Sequence, residues 1–150
     1  MKKHIIGKLG EYIVALELLK HSIDCVVIGG NNIKGTPDIL CKDGIRIEVK
    51  TSIFVENGIK TNIDGIKVSG WGFAELKRSH CDYFALVLLE NNQQLYKIIF
   101  IKKEAYISDT FIYRRPTQQD AIRLTHGQTR RETIRDYFIT LDQFIIDNNL

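Results

Sequence analysis

The sequence predicts an α/β fold in which a mixed β-sheet is flanked by helices. Three features predict it: an early apolar segment of helical length, two hairpins of alternating residues, and the apolar run Tyr83–Leu89, typical of a central strand. The 150 residues are 44% hydrophobic, enough for one sizeable core. No Pro-rich or Gly-rich linker divides the chain, so we expect a single domain over residues 1–150.

The first helix is predicted over Leu9–Leu19, where eight of eleven residues are apolar or aromatic. This composition predicts a helix that is largely buried. Glu11 shares a face with Val14, Ala15 and Leu18, where an unpaired carboxylate would be costly. We therefore expect a cationic partner or a metal ion beside Glu11.

A short strand is predicted at Cys25–Ile28, followed by a polar loop and a hairpin from Gly35 to Lys50. A two-residue loop would scatter apolar side chains over both faces of this hairpin. A three-residue loop, Lys42-Asp43-Gly44, with a left-handed glycine, pairs Asp38 with Glu48. It also gathers the apolar residues on one face, namely Ile39, Cys41, Ile45, Ile47 and Val49.

The preferred register places the carboxylates of Asp38 and Glu48 opposite each other, with about 4.5–5.5 Å between their Cβ atoms. Lys50 follows on the same face. A cation between the carboxylates would relieve their repulsion, and Mg²⁺ binds one or two carboxylates together with waters and phosphate oxygens. Alternatively, the charges belong to a half-solvated hairpin and have no joint role.

A second hairpin is predicted from Ile59–Ile63 and Ile66–Ser69 around the turn Asp64-Gly65. Val68 would lie opposite Thr61. A solvated outer face and a DNA-binding face explain the polar side of this hairpin equally well. That side carries Lys60, Asn62, Lys67 and Ser69.

The remaining chain predicts alternating short helices and strands. Trp71 and Phe73 are expected to anchor the core at the start of a helix. The expected elements are a helix over Phe73–Arg78, a strand over Leu95–Ile101 paired with Tyr83–Leu89, a helix over Lys103–Ile107, strand and loop over Phe111–Thr125, and a last helix capped by Thr140 and running through Ile146.

Charge and cysteine content limit the class of protein. The net charge is +3, and the segment Phe111–Arg131 has five arginines but only one acid, Asp120. A solvated surface and a nucleic-acid-binding surface explain this imbalance equally well. Three cysteines without close pairing favour neither a disulfide framework nor a zinc site, and no apolar run could span a bilayer. We expect a cytoplasmic protein without a membrane partner. The candidate DNA-binding residues are Lys8, Lys34, Ser52, Lys60, Asn62, Lys67, Ser69, Arg114, Arg115, Arg123, Arg130 and Arg131.

Three short motifs resemble the PD-(D/E)XK nuclease superfamily, whose core is restriction-endonuclease-like. They are Gly10-Glu11, Gly35-Thr36-Pro37-Asp38 and Glu48-Val49-Lys50-Thr51-Ser52, and they cover roughly the first fifty residues. Ser69-Gly70-Trp71-Gly72-Phe73, followed by Asp82-Tyr83-Phe84, is similar to the branch of group I intron homing endonucleases. The N-terminal half also resembles archaeal Holliday-junction resolvases, from which the extra hairpin and the basic C-terminal segment depart.

The resemblance implies a site-specific endonuclease that hydrolyses a phosphodiester of double-stranded DNA with Mg²⁺, for which Mn²⁺ can substitute, and leaves a 5′-phosphate. It implies that Asp38, Glu48 and the Val49 carbonyl bind the metal, that Lys50 positions the attacking water, and that Glu11 supports the metal. A junction resolvase and a catalytically silent DNA-binding module remain alternatives.

Cutting both strands takes two copies of a site that cuts one strand, which predicts a homodimer or a homotetramer. The expected interface residues are Phe138, Phe144 and Ile145 near the C-terminus.

Overall fold

Two β-sheets and two helices form the part of the chain that the computed structural model describes. This part comprises residues 2–28, 36–60, 67–73, 80–105, 110–114, 121–124 and 137–150. The elements are α1 (Lys3–Lys20), β1 (Cys25–Val27), β2 (Ile39–Cys41), β3 (Arg46–Ile53), β4 (Val55–Lys60), β5 (Lys67–Phe73), β6 (Tyr83–Leu89), β7 (Leu95–Lys102), β8 (Thr110–Arg114), β9 (Ala121–Leu124) and α2 (Leu141–Asp147).

The first sheet has five strands in the order β1-β2-β3-β6-β7. Only β3 and β6 pair in parallel, and the other neighbours pair antiparallel, so the sheet is mixed, as predicted. Every residue of β6 is buried, which explains why this strand is an unbroken apolar run. The α/β class is confirmed.

One face of this sheet packs against both helices. Phe144 of α2 stacks on Phe100 with 4.3 Å between the ring centroids, and Leu18 of α1 is fully buried. We call this core the helix-side cluster. It comprises Val14, Ala15, Leu18, Ile23, Ile39, Cys41, Ile47, Val49, Tyr83, Ala85, Val87, Leu89, Phe100 and Phe144.

The opposite face packs against a second sheet of four strands in the order β4-β5-β8-β9. Both described helices cover the same face of the first sheet, so among the described elements the helices flank this sheet on one side. Trp71 donates a hydrogen bond from Nε1 to the carbonyl of Leu89, at 2.7 Å, which fastens the two sheets together. The inter-sheet cluster comprises Trp71, Phe73, Cys81, Phe84, Leu86, Leu88, Ile99, Ile101 and Tyr113.

Two expectations for this region need correction. Phe73 ends β5 and does not begin a helix, because its side chain alternates with Gly72 to pack between the sheets; residues 74–79 lie outside the described residues. Trp71 and Phe73 are core anchors, as expected. The second hairpin forms, but Val68 pairs with Ile59 and not with Thr61. A shift of two residues keeps every residue on the same face, so apolar alternation alone could not distinguish the two registers.

The C-terminal region also departs from expectation. A single 3-10 turn covers Lys103–Ala105, and residues 106 and 107, the rest of the expected helix, lie outside the described part of the chain. Thr140 caps α2 as predicted, since its side chain accepts a hydrogen bond from the Gln143 N–H. The interface prediction is wrong for Phe144, which is fully buried, and Phe138 and Ile145 also pack against the core. Among the described helices, none has the length and apolarity needed to cross a membrane.

Candidate active site

The hairpin of β2 and β3 has the register predicted from its apolar face. Ile39 pairs with Ile47 and Leu40 with Arg46, and the strands are joined by the three-residue turn Lys42–Gly44. Gly44 has a φ of 80°, which is the left-handed conformation that the turn requires. Ile39 and Ile47 face the helix-side cluster, so the alternate residues of both strands face the other way.

Asp38 is fixed directly to β3. Its Oδ2 accepts a hydrogen bond from the Val49 N–H at 2.8 Å, and its own N–H donates to the carbonyl of Ile47 at 3.1 Å. The carboxylate thus lies beside the backbone between Glu48 and Lys50. Burial raises the pKa of Asp38, and the nearby Glu11 charge raises it further, against the lowering effect of the Val49 hydrogen bond.

Glu48 lies next to Asp38 and is only 19% exposed. Burial raises its pKa first, and the charge of Asp38 adds to the increase, while Lys50 opposes both effects. Lys50 Nζ is 3.4 Å from Glu48 Oε1. The structure therefore brings together the two carboxylates and the lysine that the sequence placed on one face.

Glu11 reaches the same region from α1. The helix packs closely on β3 because Gly10 has no side chain: a Cβ at this position would overlap the Thr51 hydroxyl. Glu11 is 15% exposed, and its Oε2 is 3.0 Å from Lys8 Nζ, which supplies the cationic partner expected from the sequence. Its charge raises the pKa of both Asp38 and Glu48, so the three carboxylates lie within electrostatic reach of one another.

The ligand chemistry of the site fits a hard cation. In the described ranges, no three side chains among His, Cys, Asp and Glu are grouped closely enough to hold a metal ion by themselves. Mg²⁺ does not require such a group, since it usually takes one or two carboxylates and completes its shell with waters and substrate oxygens. Asp38 and Glu48 meet this requirement. Burial, together with the neighbouring negative charges, raises the pKa of both carboxyls, and a cation would offset both effects.

The contact between Arg46 and Asp82, two residues beside the site, was not predicted from the sequence. Asp82, at the start of β6, accepts hydrogen bonds from the Arg46 backbone N–H at 2.8 Å and from Arg46 Nη2 at 3.1 Å. Arg46 lowers the pKa of Asp82 through these bonds. The parallel pairing of β3 and β6 creates this contact across 36 positions, and no local pattern could predict it. Lys8, by contrast, could have been found as the partner of Glu11 from its i,i+3 spacing.

The candidate DNA-binding residues are placed unevenly. Lys8 lies at the site through Glu11, and Ser52 follows Lys50 on the same face of β3. Lys67 is exposed, and Arg114 pairs with Gly70 between β8 and β5. The Ser69 hydroxyl accepts from the Asn57 N–H in the β4 bulge, a structural role. Lys60 lies in β4 and Arg123 in β9, and only their backbone positions are described. The remaining candidates lie outside the described residues, namely Lys34, Asn62, Arg115, Arg130 and Arg131.

Comparison with known proteins does not name a family for this chain. No protein-family model matches the sequence, and no curated protein is similar to it at a significant level. The interpretation of the site therefore rests on its own geometry.

Proposed function

We propose that this protein is a Mg²⁺-dependent endonuclease that hydrolyses phosphodiester bonds of double-stranded DNA at specific sites. One observation carries the proposal: Asp38, Glu48 and Glu11 lie within electrostatic reach of one another in a half-buried site, with Lys50 beside them. Burial and the neighbouring negative charges both disfavour the ionised carboxylates, as the raised pKa values of Asp38 and Glu48 indicate, and a bound cation would offset both effects.

Asp38 and Glu48 would hold the metal ion, with the Val49 carbonyl and Glu11 as further candidate ligands. Asp38 is suited to this role because its Oδ2 is fixed by the Val49 N–H, which holds the carboxylate in one orientation. When bound there, Mg²⁺ would polarise the scissile phosphate and lower the pKa of a water molecule. Mn²⁺ would substitute, since it also prefers oxygen ligands.

Lys50 would act on the substrate. Its ammonium group contacts Glu48 in this structure, and a bound cation would compete for that carboxylate. Lys50 would then be available to orient the attacking water and to offset the charge that develops on the phosphate. Attack of the water oxygen on phosphorus breaks the bond to the 3′ oxygen, which takes up a proton and leaves a 5′-phosphate on the other fragment.

Several features support DNA as the substrate. The chain is basic overall, and Lys67 is exposed at the start of β5. Exposed lysine on a β-ribbon is suited to contact phosphates at a groove. Cleavage of both strands would take a homodimer or a homotetramer. We also propose that the protein acts in the cytoplasm.

The test is cleavage by the purified protein with Mg²⁺ of a linear duplex library and, separately, of a four-way DNA junction. We expect defined cuts in the duplex and ligatable 5′-phosphate ends. Lys50→Ala should reduce the single-turnover rate by at least about 10²-fold while DNA binding is retained. Lys97→Ala, which changes a lysine on β7 away from the site, is the matched control.

Other outcomes identify the alternatives. Cleavage of the junction with intact duplex would favour a resolvase. If calorimetry found no Mg²⁺ or Mn²⁺ binding that depends on Asp38 and Glu48, the chain would be a DNA-binding module without catalysis.

A further inference from the structure

The outer face of α1 carries an apolar stripe that the described core leaves exposed. Four large side chains form it: Ile5 is 46% exposed, Tyr12 60%, Leu16 52% and Leu19 52%. The buried face of the same helix carries Gly10, Val14, Ala15 and Leu18. A helix that is apolar on both faces, only one of which the described residues cover, is typical of a contact surface.

The spacing of the stripe identifies what would cover it. Together with the partly buried Leu9, the stripe places apolar residues at positions 5, 9, 12, 16 and 19, which are separated by alternating steps of four and three. This is the heptad pattern of a helix that packs along its length against another helix. A β-strand or an extended peptide would not match this repeat.

We propose that α1 is the contact surface between two copies of this chain, packed antiparallel about a two-fold axis. A two-fold axis presents the same patch on both sides, so the stripe of one copy supplies the matching heptad for the other. The four exposed side chains present on the order of 400 Å² of apolar surface. With flanking residues, two copies would bury on the order of 1,000 Å² in total, close to the lower limit for a specific interface.

The dipole of α1 favours the antiparallel direction. Lys3 in the first turn adds a positive charge to the positive dipole end, whereas Lys20 in the last turn is paired with Glu17. An antiparallel partner would bring the carbonyl end of its own α1 toward this positive end. A parallel partner would place two positive ends side by side.

The proposed pairing of two α1 helices does not depend on the nuclease proposal. Its consequence for DNA cleavage, however, rests on that proposal. Glu11 lies on the side of α1 that faces β3, away from the stripe, so two copies joined through their stripes would keep both candidate sites open. Each copy could then act on one strand of a duplex.

The proposal is tested by analytical ultracentrifugation of the full chain over micromolar to millimolar concentrations. We expect a dimer for the unchanged protein and a monomer for Leu16→Lys. The matched control is Val26→Lys, since Val26 is 63% exposed but lies on the face of the first sheet opposite α1. This variant should remain dimeric. Circular dichroism checks folding, and Tyr12→Ser provides a milder change should Leu16→Lys fail to fold.

Three results would overturn the proposal: a monomeric unchanged protein over the whole range, a dimer that persists in folded Leu16→Lys, or loss of the dimer in Val26→Lys as well. Calorimetry with Mg²⁺ on the monomeric variant separates this proposal from the nuclease proposal. We expect Mg²⁺ binding to survive in the monomer, because the stripe does not contribute to Asp38 or Glu48.

Discussion

Asp38 and Val49 are joined across the β2–β3 hairpin by a hydrogen bond of 2.8 Å from the Val49 N–H to Asp38 Oδ2. The bond occupies one oxygen of the carboxylate and holds the group between the charged neighbours of Val49. Asp38 therefore has two separable roles, as an acceptor that completes the hairpin and as a charge in the candidate site. Different substitutions remove one role or both.

Asp38→Asn and Asp38→Ala should differ in stability but agree in metal binding. Asn retains an oxygen for the Val49 N–H and removes a charge that burial disfavours, so we expect stability equal to or above that of the wild type at neutral pH. Ala leaves that half-buried donor without a partner and should cost about 1–3 kcal/mol. Both should lose Mg²⁺ binding. Urea unfolding with a chelator measures stability, and calorimetry measures binding; equal stability of the two variants would contradict the structural role.

Glu48→Gln should stabilise the metal-free protein at neutral pH, by roughly 0.5–2 kcal/mol. Burial and Asp38 raise the folded-state pKa of Glu48 above its ordinary value of 4.5, so the folded state favours the protonated carboxyl. The wild type thus loses relative stability as the pH rises through the raised pKa. The stability gained by Glu48→Gln should therefore reach its full value above the raised pKa of Glu48 and vanish below about pH 4.5.

Mg²⁺ provides the second measurement on Glu48→Gln. Saturating Mg²⁺ should raise the melting temperature of the wild type and leave that of the variant unchanged, because only the wild type offers both carboxylates. Thermal unfolding with and without Mg²⁺ checks this. Equal stabilisation of both proteins would show that the ion binds elsewhere.

Gly10→Ala should destabilise the protein although alanine favours helices. A Cβ at Gly10 would overlap the stiff Thr51 side chain, which should cost about 1–3 kcal/mol and outweigh the roughly 1 kcal/mol gained in helix propensity. Gly7→Ala is the matched control, since nothing lies within 4 Å of its Cβ, and it should stabilise.

Thr51→Ala tests the cause of that destabilisation. Thr51 Oγ1 is buried and has no hydrogen-bond partner among the described residues, so its removal should be nearly neutral. In the Gly10→Ala background it should restore part of the lost stability. Additive effects in the double mutant, measured by urea unfolding, would rule out the contact as the cause.

Asp82→Asn should lower the melting temperature at neutral pH by weakening the contact with Arg46. Arg46 lowers the folded-state pKa of Asp82 below its ordinary 3.8, so the ionised carboxylate stabilises the folded state. This contribution is present above pH 3.8 and is lost as the pH falls through the lowered pKa. The difference in melting temperature between Asp82→Asn and the wild type should therefore shrink in that range.

Local sequence patterns were sufficient to predict the structure where a single apolar face determines how a strand or a helix packs. The β2–β3 register followed from the alternation that ends at Val49, and Thr140 marked the start of α2. The expectation of a cationic partner for Glu11 followed from a carboxylate within an apolar helix face, and Lys8 is that partner. In each case, neighbouring residues along the chain carry the information.

These local patterns could not predict which strands pair when they are far apart in the sequence. The second sheet joins β5 to β8, about forty residues later in the chain, and the apolar alternation of Trp71 and Phe73 does not identify that partner. Phe144 is an apolar residue near the end of the chain, and such a position is compatible with an interface as well as with the core. Only its stacking on Phe100 in the folded structure identifies it as a core residue.

The side chains from Ile47 to Phe54 alternate between the two faces of the first sheet without interruption. Ile47, Val49 and Ile53 pack toward the helices, whereas Phe54 packs toward the second sheet, on the face that carries Glu48 and Lys50. Inserting or deleting one residue here would exchange the two sets, burying the lysine under α1 and exposing its apolar neighbours. Evolution of this segment should therefore proceed by substitution, and an alignment of related chains should show no single-residue gap within it.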